Sequence, residues 1–229
     1  MIGRLQAVFY WFCVRTWVRL ILLIVTSRDI QGREHIPREG ALVLTSNHFS
    51  VGDPPILTGV FPRRIAWMAK QELFDIPLFG KLYNMGGFIP VRRFEGDLHA
   101  LRLSHQALRR GLVLGMFPEG TRSGGRLGQG EPGSALIALR TGAPILPVAI
   151  WGTENVKLPR DLFRRTRVNI RYGKPFRLPA GQRITKEQVA NGTEEIMRQI
   201  AALLPSRYHG AHSPDPTLQS APGTAPSEG

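Results

Sequence analysis

The sequence predicts an α/β fold, a mostly parallel central sheet flanked by helices, with an N-terminal amphipathic membrane-interface helix. Three observations carry this reading. Short, continuously apolar runs recur from residue 41 onward, the pattern of strands covered on both faces. Helix-length segments fall between those runs, and that alternation builds a parallel sheet. Ahead of both lies the most apolar stretch of the chain, residues 5–25, interrupted by Arg15 and Arg19.

That first stretch fits neither a signal peptide nor a spanning helix. No small-residue cleavage site follows it, and the two arginines break a segment that needs about 20 apolar residues to cross a bilayer. At about 100° per residue, Arg4, Arg15 and Arg19 fall within about 60° of one another, facing an arc of Phe, Trp, Leu and Ile. A helix of that kind lies in a membrane interface, arginines at the headgroups and apolar side in the lipid. Tyr10, Trp11 and Trp17 are residue types that gather at lipid boundaries. The alternative is a helix docked on the protein's own core with its arginines in water.

The remaining elements follow in order. Strands are expected at 41–46 (ALVLTS), 64–69, 87–91 (GFIPV), 112–117 (LVLGMF) and 145–150 (ILPVAI). A helix is expected over 97–110, where Leu98, Leu101, His105 and Leu108 share one side, and another over 133–141, closed by Gly142. Val168, Ile170 and Tyr172 alternate with Arg167, Asn169 and Arg171, a strand with one wet face. Thr185 and Gln188 form a capping box ahead of a last helix over 185–204. The chain then divides into an N-terminal helix at 1–30, a folded domain at 31–204 with its motifs at about 41–155, and a Pro/Ser/Gly/Ala-rich tail at 205–229 expected to be disordered.

Charge narrows the partners. With 30 Lys plus Arg against 17 Asp plus Glu, the net charge is +13, which favours partners that carry phosphate: nucleic acid, anionic membrane or phosphorylated small molecules. One cysteine, Cys13, excludes an intramolecular disulfide framework and a multi-cysteine zinc site.

Three polar clusters each begin where an apolar run ends, at the strand edge where α/β sheets bind ligands. The first runs from Ser46 through His48 to Asp53. A carboxylate five residues from a histidine, with glycine between, can meet one ring nitrogen and leave the other free to act as a base. The second, Gly86 to Arg93, and the third, Phe117 to Ser123, each place arginine beside glycine, where backbone can approach an anion and a guanidinium can clasp two phosphate oxygens.

His48-(x)4-Asp53, Gly87-x-Ile89-(x)3-Arg93, Phe117-Pro118-Glu119-Gly120-Thr121-Arg122 and Ala143-Pro144-Ile145-Leu146-Pro147-Val148 resemble, in order and spacing, the four motifs of the glycerolipid acyltransferase family. The nearest type is 1-acyl-glycerol-3-phosphate acyltransferase. The resemblance implies that His48 is the general base and Asp53 its orienter. It also implies that Arg92, Arg93, Glu119, Gly120, Thr121 and Arg122 shape the site for the acceptor's phosphate and glycerol, and that the last motif helps form the acyl-donor region. Acyl-CoA or acyl carrier protein would be co-substrate, with no cofactor and no metal. The enzyme would sit peripherally or monotopically on the cytoplasmic face of the cell membrane, in contact with anionic lipid. An acyl thioester is already activated, so such an enzyme needs no serine or cysteine nucleophile, and no Gly-x-Ser-x-Gly elbow occurs.

One position departs from the family. Many relatives carry a lysine shortly before the glycine that opens the helix after the third motif; here Gly128-Gln129-Gly130-Glu131-Pro132-Gly133 has an acid. The same residues spell Gly-x-Gly-x-x-Gly, but no strand directly precedes them and Glu131 would repel a pyrophosphate. His99 and His105 lack metal-ligand company. A nucleic-acid partner is not expected, since no helix-turn-helix or zinc-finger pattern occurs and the aromatics cluster in the first helix.

Overall fold

The computed structural model describes residues 12, 16–17, 19–22, 24–92, 97–156, 165–179 and 183–212. Its centre is a seven-stranded sheet of β1 (Thr26–Gln31), β2 (Leu42–Ser46), β3 (Ile65–Lys70), β4 (Ile89–Val91), β5 (Val113–Met116), β6 (Ile145–Trp151) and β7 (Thr166–Tyr172), in the order β1-β7-β6-β2-β5-β3-β4. The block β6-β2-β5-β3-β4 is parallel throughout, so its carboxyl ends share one edge. β7 runs antiparallel to β6, and β1 pairs parallel to β7.

Around the sheet stand α1 (Asp53–Val60), α2 (Glu72–Asp75), α3 (Pro77–Gly86), α4 (Leu98–Arg109), α5 (Gly133–Thr141) and α6 (Lys186–Ala201). Side chains alternate across β2. Leu42 and Leu44 join Leu57, Phe61 and Trp67 beneath α1, whereas Val43 joins Leu108, Ile137 and Ile196 beneath α4, α5 and α6. Both sheet faces are therefore covered, which explains why these strands read as unbroken apolar runs.

Several elements differ from expectation. β1, Thr-Ser-Arg-Asp-Ile-Gln, is too polar to read as a strand, and its pairing with β7 holds it in place, reinforced by Asp29 bridging Arg167 at 3.2 Å and Arg171 at 3.1 Å. Helices α1 and α3 are disguised by prolines, which sit in their first turns. No intrahelical bond is lost there, because the first N–H groups of a helix have no partner within it. The tail boundary also moves. Residues 205–212 are folded, with helical turns at Ser206–Tyr208 and Gly210–His212. Leu127 N–H donates to Tyr208 O at 2.8 Å and Ala211 N–H to Leu127 O at 3.0 Å, while Tyr208 is buried against Phe49. Residues 213–229 lie outside the described residues.

At the N-terminal side, the described residues between 12 and 25 are helical. Leu22 and Val25 are buried, whereas Phe12, Trp17, Leu20, Ile21 and Ile24 are exposed. Arg4, Tyr10, Trp11, Cys13 and Arg15 lie outside the described residues. No described helix is long and apolar enough to cross a membrane.

Candidate active site

The site forms where β2, β5 and β6 end. β2 finishes at Ser46, and the fully buried Asn47 continues its pairing by other means. The side-chain amide donates to Ile150 O at 2.7 Å and accepts from Ile150 N–H at 2.8 Å, standing in for a peptide group of the strand ladder. The chain then turns away from the sheet, and His48 leaves at a fixed angle.

Asp53, at the start of α1, closes that turn. Its Oδ2 accepts from His48 Nδ1–H at 3.0 Å, Phe49 N–H at 2.8 Å and Ser50 N–H at 2.7 Å. The carboxylate is fully buried, so it fixes the imidazole tautomer with Nδ1 protonated and Nε2 open. One face of the ring stacks on Phe117 at 4.1 Å between centroids, and Phe117 stacks on Trp67 at 4.9 Å. Gly115 makes this stack possible, since a Cβ there would lie 2.5 Å from the Trp67 ring.

The third motif grips His48 by its backbone. Glu119 Oε1 accepts from His48 N–H at 2.7 Å, and Ser123 N–H donates to His48 O at 2.9 Å. The other oxygen, Oε2, accepts from Gly128 N–H at 2.8 Å. Burial pushes the Glu119 carboxyl up from its ordinary 4.5 to about 7, against the opposing pull of the hydrogen bonds it accepts. Gly120 adopts φ +66°, the left-handed region that glycine enters without strain, and so bends the chain between Glu119 and Thr121. Thr121 and Arg122 are exposed, and they directly precede Ser123, the residue whose N–H donates to the His48 carbonyl.

The family model described as Acyltransferase matches residues 27–151, more than half of the chain. This chain belongs to the acyltransferase family. It is 30% identical over 160 residues to a chloroplastic 1-acyl-sn-glycerol-3-phosphate acyltransferase of Brassica napus, covering 68% of this chain and 46% of that one. A Bacillus subtilis protein named 1-acyl-sn-glycerol-3-phosphate acyltransferase is 26% identical over 85% of this chain and 96% of its own length. The chain thus spans about half the length of the plant relative and nearly all of the bacterial one. Among solved structures, the 1-acyl-sn-glycerophosphate acyltransferase PlsC of Thermotoga maritima superposes with a TM-score of 0.68 at 26% identity, covering 89% of this chain and 82% of that chain.

Within this acyltransferase domain the expected site residues take unequal places. His48, Asp53, Glu119, Gly120, Thr121 and Arg122 converge on one turn. Glu119 faces the backbone with both oxygens, so it shapes the site from behind instead of meeting a ligand. Arg92 is exposed at the end of β4, its N–H donating to Asp97 Oδ2 at 2.9 Å. It leaves the same sheet edge three strand spacings from β2, roughly 14 Å. Arg93 lies outside the described residues. Glu131, the acid at the family's lysine position, donates its N–H to Pro118 O at 2.6 Å, and its side chain lies against Gly120. Asn47 and Ser123 fall inside the polar clusters read from the sequence but had no role of their own there, and Trp67, in a predicted strand, was not legible as a site residue. The only sequence signal for Asn47 was an amide directly after a continuously apolar strand.

Proposed function

We propose that this chain transfers a fatty acyl group from an acyl thioester, acyl-CoA or acyl carrier protein, to the free hydroxyl of 1-acyl-glycerol-3-phosphate, giving phosphatidate for phospholipid biosynthesis. The observation that carries this reading is the His48–Asp53 pair, joined at Nδ1 at 3.0 Å with Nε2 making no hydrogen bond to a described residue, on a turn clamped by the motif that also carries the exposed Arg122. Nε2 takes the proton of the acceptor hydroxyl as its oxygen attacks the thioester carbonyl. Asp53 stabilises the imidazolium that results. Collapse of the tetrahedral adduct forms the ester and expels the thiolate, which recovers the proton from Nε2. Arg122, with Arg92 just after β4 and its sequence neighbour Arg93, holds the acceptor's phosphate. Glu119 and Ser123 keep the base in place by its backbone. The enzyme works from the cytoplasmic face of the membrane, on whose anionic surface the N-terminal helix rests.

A second acceptor class is favoured by Glu131, an exposed acid whose side chain lies against Gly120 and which suits a lysolipid headgroup that also carries an ammonium group. The test is transfer by detergent-purified protein, with both donors against glycerol-3-phosphate, lysophosphatidate and amine-bearing lysolipids. Lysophosphatidate is expected to give the highest kcat/KM. His48→Ala is expected to lower kcat by about 10² to 10⁴. Undiminished transfer by that variant refutes the base assignment, and a preference for an amine-bearing acceptor refutes the phosphate-monoester assignment.

A further inference from the structure

A second basic site lies at the opposite edge of the sheet from Arg92. Arg19 of the N-terminal helical segment, Arg28 and Ile30 of β1, Arg33 of the turn after it and Val60 of α1 line an open cavity of about 560 Å³. That volume falls within the range of small-molecule sites. Along β1, Arg28 pairs with Val168 and Ile30 with Ile170 in register, and these partners belong to the core cluster that includes Val60. The cavity floor is therefore apolar and its rim cationic.

Nothing in the described structure neutralises this rim. The guanidinium groups of Arg19, Arg28 and Arg33 make no ion pair or hydrogen bond with any described residue. The neighbouring carboxylate of Asp29 is engaged with Arg167 and Arg171. Burial lowers the Arg28 pKa, and the charges of Arg19, Arg33 and Arg165 lower it further. The buried Tyr172 hydroxyl, within electrostatic reach of Arg33, has no hydrogen-bond partner among the described residues. Three like charges gathered over an apolar floor are costly unless an anion joins them.

We propose that this cavity is a binding site for the phosphate of an anionic phospholipid headgroup, separate from the acceptor site. Two features select a lipid among phosphate-bearing ligands. The cavity floor of Ile30 and Val60 accepts glycerol and the first methylenes of a chain. The helical segment that supplies Arg19 also exposes Phe12, Trp17, Leu20, Ile21 and Ile24, side chains suited to the adjoining acyl region. Between β1 and β2 stand β7 and β6, so β1 lies about 14 Å across the sheet from β2, the strand that ends just before His48. A headgroup held there anchors the domain without occupying the reaction site. The inference rests on the membrane association in the proposed function and is independent of the catalytic assignments.

The test compares the full chain with Arg28→Gln/Arg33→Gln and with a control pair on α4, Arg102→Gln/Arg109→Gln, both exposed. Binding is measured by co-sedimentation with phosphatidylglycerol-containing vesicles and with pure phosphatidylcholine vesicles. Transfer to detergent-solubilised acceptor is measured in parallel. A basic residue at an anionic surface contributes roughly fivefold to binding, so the cavity pair is expected to weaken phosphatidylglycerol binding about 25-fold. The control pair, on a helix remote from the cavity, should change it by less than about twofold, and detergent-based transfer should be retained in both. Arg28→Lys/Arg33→Lys, which keeps the charge but loses the planar fork, should restore binding only in part. Inorganic phosphate and CoA are titrated against thermal unfolding to separate the sources of phosphate. Equal losses in the two Gln pairs, or CoA binding lost in the cavity pair while vesicle binding is kept, would overturn the lipid assignment. So would a wild-type chain that ignores phosphatidylglycerol, and retained transfer in that case would leave the catalytic reading standing.

Discussion

Replacing Asp53 with Asn separates the charge of the proposed catalytic pair, His48 and Asp53, from its geometry. Oδ2 accepts three hydrogen bonds, at 3.0, 2.8 and 2.7 Å, whereas the buried Oδ1 accepts none from described residues. An Asn amide therefore has one favourable orientation. Its oxygen occupies the Oδ2 position and keeps all three bonds, and its NH2 takes the place of Oδ1. The reverse orientation would set an NH2 against three donors. His48 thus keeps its tautomer and its turn, and loses only the negative charge that stabilises imidazolium. A hydrogen bond to a charged group is worth about 1.5–3 kcal/mol, so losing the charge while keeping the bond lowers kcat/KM by up to about 10- to 10²-fold. That is smaller than the loss of about 10⁴ seen where an Asn substitution also forces the wrong tautomer. The assay is initial-rate transfer to detergent-solubilised lysophosphatidate, with thermal unfolding to show that the fold persists. Because Asp53 acts through His48, the double variant Asp53→Asn/His48→Ala should be no slower than His48→Ala alone. Multiplicative losses in the double variant would refute the reasoning, since they would give Asp53 a role that does not pass through the imidazole.

Further predictions follow from the third motif. The Glu119 carboxyl is held near pH 7 in the folded chain against an ordinary 4.5, so between those pH values the native state binds more protons than the unfolded state. Stability from this group is present below about pH 4.5 and declines as pH rises to 7, by an amount on the order of 3 kcal/mol. Urea unfolding should show that slope in the wild type and lose it in Glu119→Gln. The same variant should lose transfer activity, because an amide cannot accept from both His48 N–H and Gly128 N–H. Glu131→Lys reverses a charge beside Gly120 and should lower KM for lysophosphatidate a few-fold, by about 1 kcal/mol or less at an exposed position. The gain should shrink as salt rises, and an unchanged KM at low ionic strength would place Glu131 away from the acceptor's phosphate.

How much of this was legible in the sequence depends on whether the deciding contact is local. His48 and Asp53 lie within one turn, and their spacing with an intervening glycine could be read directly as a hydrogen-bonded pair. The parallel strands were legible because each is buried on both faces, so their composition carries the signal without knowledge of their neighbours. β1 was not legible, because an edge strand with five polar residues among its six owes its existence to the partner strand over a hundred residues away. Prolines hid α1 and α3, since a residue that breaks helices in the interior begins them here. The short turns after Pro205 were hidden for another reason: Tyr208 is a single aromatic in a polar stretch, and its burial depends on Phe49 and Leu127.

The division of labour inside the third motif has the same origin. Phe117-Pro118-Glu119-Gly120-Thr121-Arg122 reads as a run of ligand-facing residues, yet the structure turns its first half inward and its last two members outward. Phe117 supplies a ring for His48 and Glu119 a carboxylate for its N–H, while Thr121 and Arg122 face solvent. That arrangement answers a physical requirement. A base on a turn is displaced by small backbone movements, and misplacement by about 1 Å can cost about 10² in rate. Here the imidazole is held at Nδ1, at one ring face and at both backbone groups of its residue, which leaves Nε2 as its free polar atom. If Arg122 meets the acceptor as proposed, the same motif also holds His48 by its backbone, and changes at Glu119 or Gly120 should then alter kcat before they alter KM.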